Sequence, residues 1–413
     1  MVGYPMLSHQ AYFEFLAGSD QNVPVWQPVL AGLAVMRLID SRIAHDRRGE
    51  SDWASVESAK SAVRAISEGD PVRAILLQLI EAVSGVEIQR DAVGRGLLAY
   101  GRALDFDGRW ALACDVFATA DTMTGAPANA RISVESNIAL GATSRRMGDW
   151  DTSTHAYARA AYLAGTVGDT AGVLQVEVGR ANTHMLRGNL PVAESMLEEV
   201  IEQARIDGSN DVLGLALLSR ASVAHLRGAY ADAVRIGYEA LETTRNPTTR
   251  DTILSDIAAA FAGLGLRDAA RDSYLIVTAT AQSQWVRWQA TLNLMELAGI
   301  DGREADFDAY AREMEAAPLD PRLRAYYFMF LGAGQQGFGR EIEAEISLAE
   351  GLAFAEKNQL HQIAHEASVA IEELKSHEGS RREGIIAPAE IEPSLQKIVS
   401  DLSTLREAAT SSS

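Results

Sequence analysis

The chain is predicted to be all-α, an α-solenoid of paired helices, on three observations. Gly108, Gly148, Gly188, Gly228, Gly265, Gly302 and Gly339 are spaced 40 residues apart three times and then 37 residues apart three times. Such regularity marks stacked repeats rather than scattered turns. Residues at fixed offsets from these glycines are small or bulky in a pattern that places them on one helix face. Helix formers dominate throughout, and alternating strand-like stretches are essentially missing.

Ahead of the regular region, residues 1–92 read as a helical cap or degenerate repeats, because an array must seal the apolar face of its first unit. A small separate domain mediating dimerisation is the alternative. Val25, Trp26, Val29, Leu30, Leu33, Met36, Leu38, Ile39 and Ile43 make one strongly apolar helix after Pro24, with Pro28 near its first turn. Trp53–Ser67 and Pro71–Val83 read as two more helices, and Asp70-Pro71 as a cap with a first-turn proline.

Residues 93–357 carry the repeats. Seven residues before each timing glycine stands Gly101, Gly141, Ala181, Ala221, Ala258, Met295 or Gly332, nearly all small enough for close helix packing. Nine residues after it come Phe117, Tyr157, Leu197 and Tyr274 in four of the units. Five after come Ala113, Ser153, Ala193, Ala233 and Ala270; twelve after, Ala120, Ala160, Val200, Ala240 and Val277. Each unit is therefore expected to be helix, glycine turn, helix, with the glycine supplying the left-handed terminus. Two units depart: Phe307 replaces the small residue after Gly302, and Glu304 and Glu341 replace the Trp110, Trp150, Leu190 and Tyr230 type of residue.

This pattern, from about Val93 to Lys357, resembles the tetratricopeptide repeat, whose motif is an antiparallel helix pair with small, glycine, aromatic and alanine positions at these offsets. The resemblance implies a right-handed superhelix of hairpins, with units of 37 and 40 residues longer than the family's minimum through longer helices or connections. It is similar to the longer-repeat sensor arrays of bacterial transcription activators and peptide receptors. It also implies a concave groove lined by the first helix of each pair. Carried over by column, the groove residues are Arg102 and Asp105, then Glu135, Ala142 and Arg145, then Gln175, Asn182 and Met185. Leu218, Ser222 and His225 follow, then Tyr326, Met329 and Gln336. Asn182 stands out because an amide donates to and accepts from a peptide backbone without charge. Val178 and Ser219 stand where a chaperone-tail clamp needs lysine and asparagine, which disfavours capture of a carboxylate tail.

Beyond the array, residues 358–378 are expected to close the stack with a helix from about Gln359 to Ser376. Residues 379–413 read as a linker around Gly379, Gly384, Pro388 and Pro393, a short amphipathic stretch from Leu395 to Leu405 that frays or, as the alternative, docks as a helix, and a disordered tail.

The 413 residues show no Pro/Gly/Ser-rich divider in the middle, and the formal net charge is −19. That charge argues against direct contact with nucleic acid, whose phosphates demand clustered cations. Only four of the 37 basic residues are lysine, a bias typical of a GC-rich bacterial genome. Between Glu296 and Glu378 stand 17 acidic and 7 basic residues. This stretch reads as a solvated face or as a surface that attracts a basic segment of a partner. Cys114 is the single cysteine, placed in a packed helix, which leaves no internal disulfide and no cysteine-based zinc site. The N-terminus lacks a secretory pattern and no apolar run spans a bilayer, so the expectation is a cytoplasmic chain without membrane insertion.

Gly332-Ala333-Gly334-Gln335-Gln336-Gly337 matches a dinucleotide fingerprint, preceded by the apolar run Tyr326–Leu331 and followed by Glu356. Gly332 and Gly339, however, fall in the same columns as Gly101 and Gly108, and no second strand–helix unit exists to build a sheet. His361 and His365 lie one turn apart, but Gln362 and Ala364 occupy the places where a metalloprotease helix carries glutamate. His155, His184 and His225 fall in different columns. No catalytic constellation, cofactor or metal site is expected. The predicted function is a non-enzymatic scaffold or adaptor that binds a peptide or helix of a protein partner. The alternative is a signal-responsive regulator whose array senses a small peptide or metabolite. Partner, pathway and oligomeric state are not encoded legibly.

Overall fold

The computed structural model describes residues 8–18, 25–46, 53–85, 87–124, 130–358, 360–376 and 392–411. All regular structure among them is helical. The chain divides into two compact units, Met1–Gly188 and Asn189–Ser413, a boundary that falls at the third timing glycine.

In the first unit, α1 (Gln10–Gly18), α2 (Trp26–Asp46), α3 (Trp53–Arg64) and α4 (Pro71–Ser84) precede the regular hairpins. Asp70 caps α4 as expected, its carboxylate accepting from the Val72 amide at 2.9 Å with Pro71 in the first turn. α1 was not foreseen. The hairpins are α5 (Arg90–Phe106) with α6 (Trp110–Thr124) and α7 (Ala130–Arg146) with α8 (Trp150–Val167), followed by α9 (Thr170–Leu186). One hydrophobic core runs from Tyr12 through Met36, Leu79 and Leu97 to Phe117 and Ile132. The first 92 residues therefore share their core with the first hairpins.

The second unit holds α10 (Leu190–Asp207), α11 (Asn210–Leu226), α12 (Tyr230–Thr243), α13 (Pro247–Gly263), α14 (Arg267–Thr280), α15 (Gln284–Ile300) and α16 (Glu304–Ala316). It continues with α17 (Pro321–Gly337), α18 (Glu341–Lys357), α19 (His361–Ser376) and α20 (Pro393–Ser411). Sequential helices pack against each other in both units, which makes each an α-solenoid stack of hairpins.

Every timing glycine has a positive φ, between 68° and 78°. The same closing bond recurs one residue later: Arg109 N–H to Leu104 C=O at 2.8 Å, Asp149 to Ser144 at 2.9 Å, Ala229 to Ala224 at 2.9 Å and Leu266 to Phe261 at 2.9 Å. This 6→1 bond satisfies a carbonyl that the helix end leaves open.

The change of period from 40 to 37 has a local cause. α8 and α10 run 18 residues and leave through Gly168 and Gly208, both left-handed, so only two residues separate each from the next helix. α12 and α14 run 14 residues and leave through the extended Thr244 and Ala281. One helical turn is lost, and Asn246 or Ser283 then caps the next helix.

The small columns exist because bulky ones fill them. A Cβ on Gly141 would lie 2.9 Å from the Tyr157 ring, and one on Gly179 would overlap the same ring from the next helix. Phe307, the departure near Gly302, is fully buried, and Gly334 and Gly299 make its room. Gly332 likewise faces Leu348 at 2.6 Å from where its Cβ would be. The dinucleotide-like run therefore lies inside α17, where its glycines admit neighbouring side chains.

The stretch from Leu395 to Leu405 belongs to a 19-residue helix that continues to Ser411, and α20 docks on α14 and α12 instead of fraying. Leu395, Ile398 and Leu402 are buried; Tyr238 donates to Asp401 at 2.7 Å and Arg406 to Asp272 at 3.0 Å. Three apolar residues spaced along one face, with ion pairs at the edges, hold it. The linker expected from Gly379 to Pro388 lies outside the described residues.

Candidate functional site

Two hollows collect the candidate residues, one in each unit. In the first unit α5, α7 and α9 border a groove of about 640 Å³ that includes Arg102, Asp105, Glu135, Ala142 and Gln175. Its polar walls are tied across helices. Arg102 donates to Glu135 at 2.8 Å, and Asp105 accepts from Thr143 at 2.8 Å and also pairs with Arg146. Val134, Ile138 and Ala139 add apolar floor.

Arg145 and Asn182 sit half-buried in the same unit. The Arg145 Nε and the Asn182 Oδ1 are shielded from solvent with no hydrogen-bond partner among the described residues. Burial raises the nearby Tyr157 phenol, and Arg145 pulls it back. Met185, on α9, is half-buried.

In the second unit α11, α12 and α13 enclose a half-open cavity of about 180 Å³ lined by Leu218, Ala221, Ser222, His225, Gly237, Ile257 and Asp256. Three sequence-predicted residues, Leu218, Ser222 and His225, thus meet at one place. Asp256 was missed. Burial pushes its carboxyl up to about 6, against the pull of a hydrogen bond from Ser222 at 3.1 Å. Burial also lowers the His225 imidazole, which stands edge-on to Tyr230 at 5.1 Å between ring centres.

A signal for Asp256 was present in the sequence. Nine residues before the timing glycines stand Ala99, Ala139, Gly179, Ser219, Asp256, Asn293 and Phe330, a column with one ionisable member. The groove columns carried over from the family resemblance hold Leu218 and Ser222, which flank Ser219 of this column without including it.

Tyr326 and Met329 do not join either hollow. Tyr326 stacks on Phe330 at 5.9 Å, and Met329 packs into the cluster of Ala325, Ala355 and Ile363 between α17, α18 and α19. Their partly buried places come from the aromatic richness of α17, which its own neighbours absorb. Gln336 is half-buried at the end of α17.

The remaining reactive residues are dispersed. Cys114 lies 3.5 Å from the Ser144 hydroxyl, and burial raises its thiol. His155 is exposed and contacts the Asp151 carbonyl at 2.7 Å; His361 and His365 are exposed on α19. Among the described residues no three His, Cys, Asp or Glu groups are placed to hold a metal, and no helix is long and apolar enough to cross a membrane.

No family model and no curated protein matches the chain. Solved structures similar to it include NprR in complex with its cognate peptide NprX, at 13% identity and a TM-score of 0.46, with 76% of this chain and 82% of that one covered. The apo form of the quorum sensor NprR from B. thuringiensis is similar at 12% identity and a TM-score of 0.39, with coverages of 88% and 92%. A Rap protein complexed with Competence and Sporulation Factor is similar at 11% identity and a TM-score of 0.35, with coverages of 86% and 100%.

Proposed function

We propose that this chain is a non-enzymatic, tetratricopeptide-like adaptor that binds an extended segment of a protein partner along its first-helix faces. The observation that carries the reading is Asn182. A shielded amide oxygen without a partner costs free energy in the empty protein. A turn of the amide toward the groove brings this oxygen to a backbone N–H of a segment lying along α9, as an amide in this column is suited to do. The groove between α5, α7 and α9 supports the same reading, since it combines an apolar floor with charged walls. Hydrogen bonds along the main chain would give affinity, and the floor would select side chains.

Affinity capture from the native source with the full chain tests the reading. The Asn182→Ala, Met185→Glu double variant is expected to lose the captured protein. A control at the highly exposed Tyr162, Tyr162→Ser, is expected to keep it. A partner held equally by both variants overturns the assignment to α9.

A further inference from the structure

Asp256 is an acid that the hairpin itself does not require. The six other residues of its column are uncharged. Around it Leu218, Ala221 and Ile257 supply apolar surface. Among the described residues its one hydrogen bond comes from the Ser222 hydroxyl, which also lies 3.1 Å from the Leu218 carbonyl. A hydroxyl has a single proton, so carboxylate and carbonyl compete for it. No described arginine or lysine forms an ion pair with Asp256. The titratable groups around it are His225 across the cavity and Tyr274 behind it, with Glu296 beyond the phenol.

A carboxylate held in such a place is costly until a cation joins it. We propose that this cavity is a recognition site for one organic cation on an apolar stem, an ammonium or guanidinium whose head pairs with Asp256 and whose stem lies along Leu218, Ala221 and Ile257. The volume of about 180 Å³ equals that of about six waters, enough for a four-carbon chain with its head group. His225 is held neutral by burial at neutral pH, so it presents an acceptor to the incoming N–H instead of a competing charge. A lysine or arginine side chain of a protein partner and a free small amine share this chemistry. Only the first source rests on the adaptor reading.

The test is a calorimetric titration of the full chain with n-butylguanidinium, n-butylammonium and neutral n-butylurea. The cations are expected to bind at least about tenfold more tightly than the urea, the discrimination expected when a charge pair is lost. Asp256→Asn is expected to lose that preference while unfolding at the same or a higher temperature. Carbon NMR of the Asp256 carboxyl in the wild-type chain gives a readout that needs no variant: butylguanidinium is expected to move its titration to lower pH. Equal binding of the urea, or an unmoved titration, overturns the proposal. Short acetylated, amidated peptides with one lysine, one arginine or norleucine in their place assign the source: preference for the cationic peptides supports a protein segment, and binding of the free amines alone supports a metabolite. Loss of cation binding in Asp256→Asn, with the α9-dependent partner retained, separates this site from the groove of the first unit.

Discussion

At the scale of single residues, two glycines seven positions apart are needed for different reasons. Gly108 has φ 74° and open space around its missing side chain, whereas Gly101 has helical backbone and faces the Phe117 ring. Gly108→Ala is expected to cost about 1–2 kcal/mol through left-handed strain, and Gly101→Ala about 1–3 kcal/mol through overpacking. Adding Phe117→Leu should relieve the second loss and leave the first, as read by urea unfolding of each pair. His9 offers a residue-scale test of pH. Its ring is buried, which opposes protonation, but Asp115 at 2.8 Å and Asp40 at 3.1 Å outweigh burial and raise it to about 9. A group raised from 6.5 stabilises the fold fully below its unfolded value and loses that contribution as pH climbs through 9. Stability is expected to fall by on the order of 3 kcal/mol between neutral pH and pH above 9, and His9→Gln should flatten this decline. An equal decline in the variant places the cause elsewhere. The sign is the same at Asp256 for a different cause: burial raises its carboxyl from 3.8 to about 6, so stability falls as pH climbs through that lower window. Asp256→Asn should therefore stabilise the chain at pH 8 and change little at acid pH, measured by thermal unfolding at both.

Among the elements, the second helix of each pair decides the period and the C-terminal helix decides what covers it. The 40-residue units of α8 and α10 end in left-handed glycines after a full extra turn, while the 37-residue units of α12 and α14 stop at extended Thr244 and Ala281. Both exits feed a first helix of 17 residues, so the groove-forming helices keep one length through the change. α20 covers part of α12 and α14 with Leu395, Ile398 and Leu402. Leu402 is almost fully buried and Leu405 is 43% exposed, which makes them a matched pair. Leu402→Ala is expected to cost about 2–5 kcal/mol, and Leu405→Ala less than about 0.5 kcal/mol. Hydrogen exchange should also quicken along α14 in the first variant. Equal losses in the two would mean that α20 is not seated as described. The ion pair of Arg406 with Asp272 adds direction more than energy, since Arg406 is partly open to solvent.

For the whole molecule, the glycine rhythm made the hairpins legible because each glycine answers a backbone requirement that no other residue meets as cheaply. The small and bulky columns were legible for a related reason: Tyr157 needs Gly141 and Gly179, and such pairs repeat with the turn. What periodicity does not carry was missed. α20 occurs once, and its buried face holds only Leu395, Ile398 and Leu402. His9 and Asp115 are 106 residues apart. Asp256 is the single ionisable member of a column outside the groove positions, and Met329, in a groove column, has α19 against it. The same whole-chain view bears on charge. Ion pairs link helices of adjacent hairpins, as Arg159 with Asp121 and Arg205 with Glu239, both between partly exposed groups. Opposed to them is the self-repulsion of a net charge of −19. Distance decides which effect salt removes first. The Debye length falls from about 30 Å at 0.01 M to about 8 Å at 0.15 M, shorter than most separations between like charges and still longer than an ion-pair contact. Long-range repulsion is therefore screened before the contacts are. The unfolding temperature is expected to rise as sodium chloride increases over that range, with the far-ultraviolet dichroism of the folded chain unchanged. A fall over the same range would show that the ion pairs, rather than the net charge, set the electrostatic balance of the array.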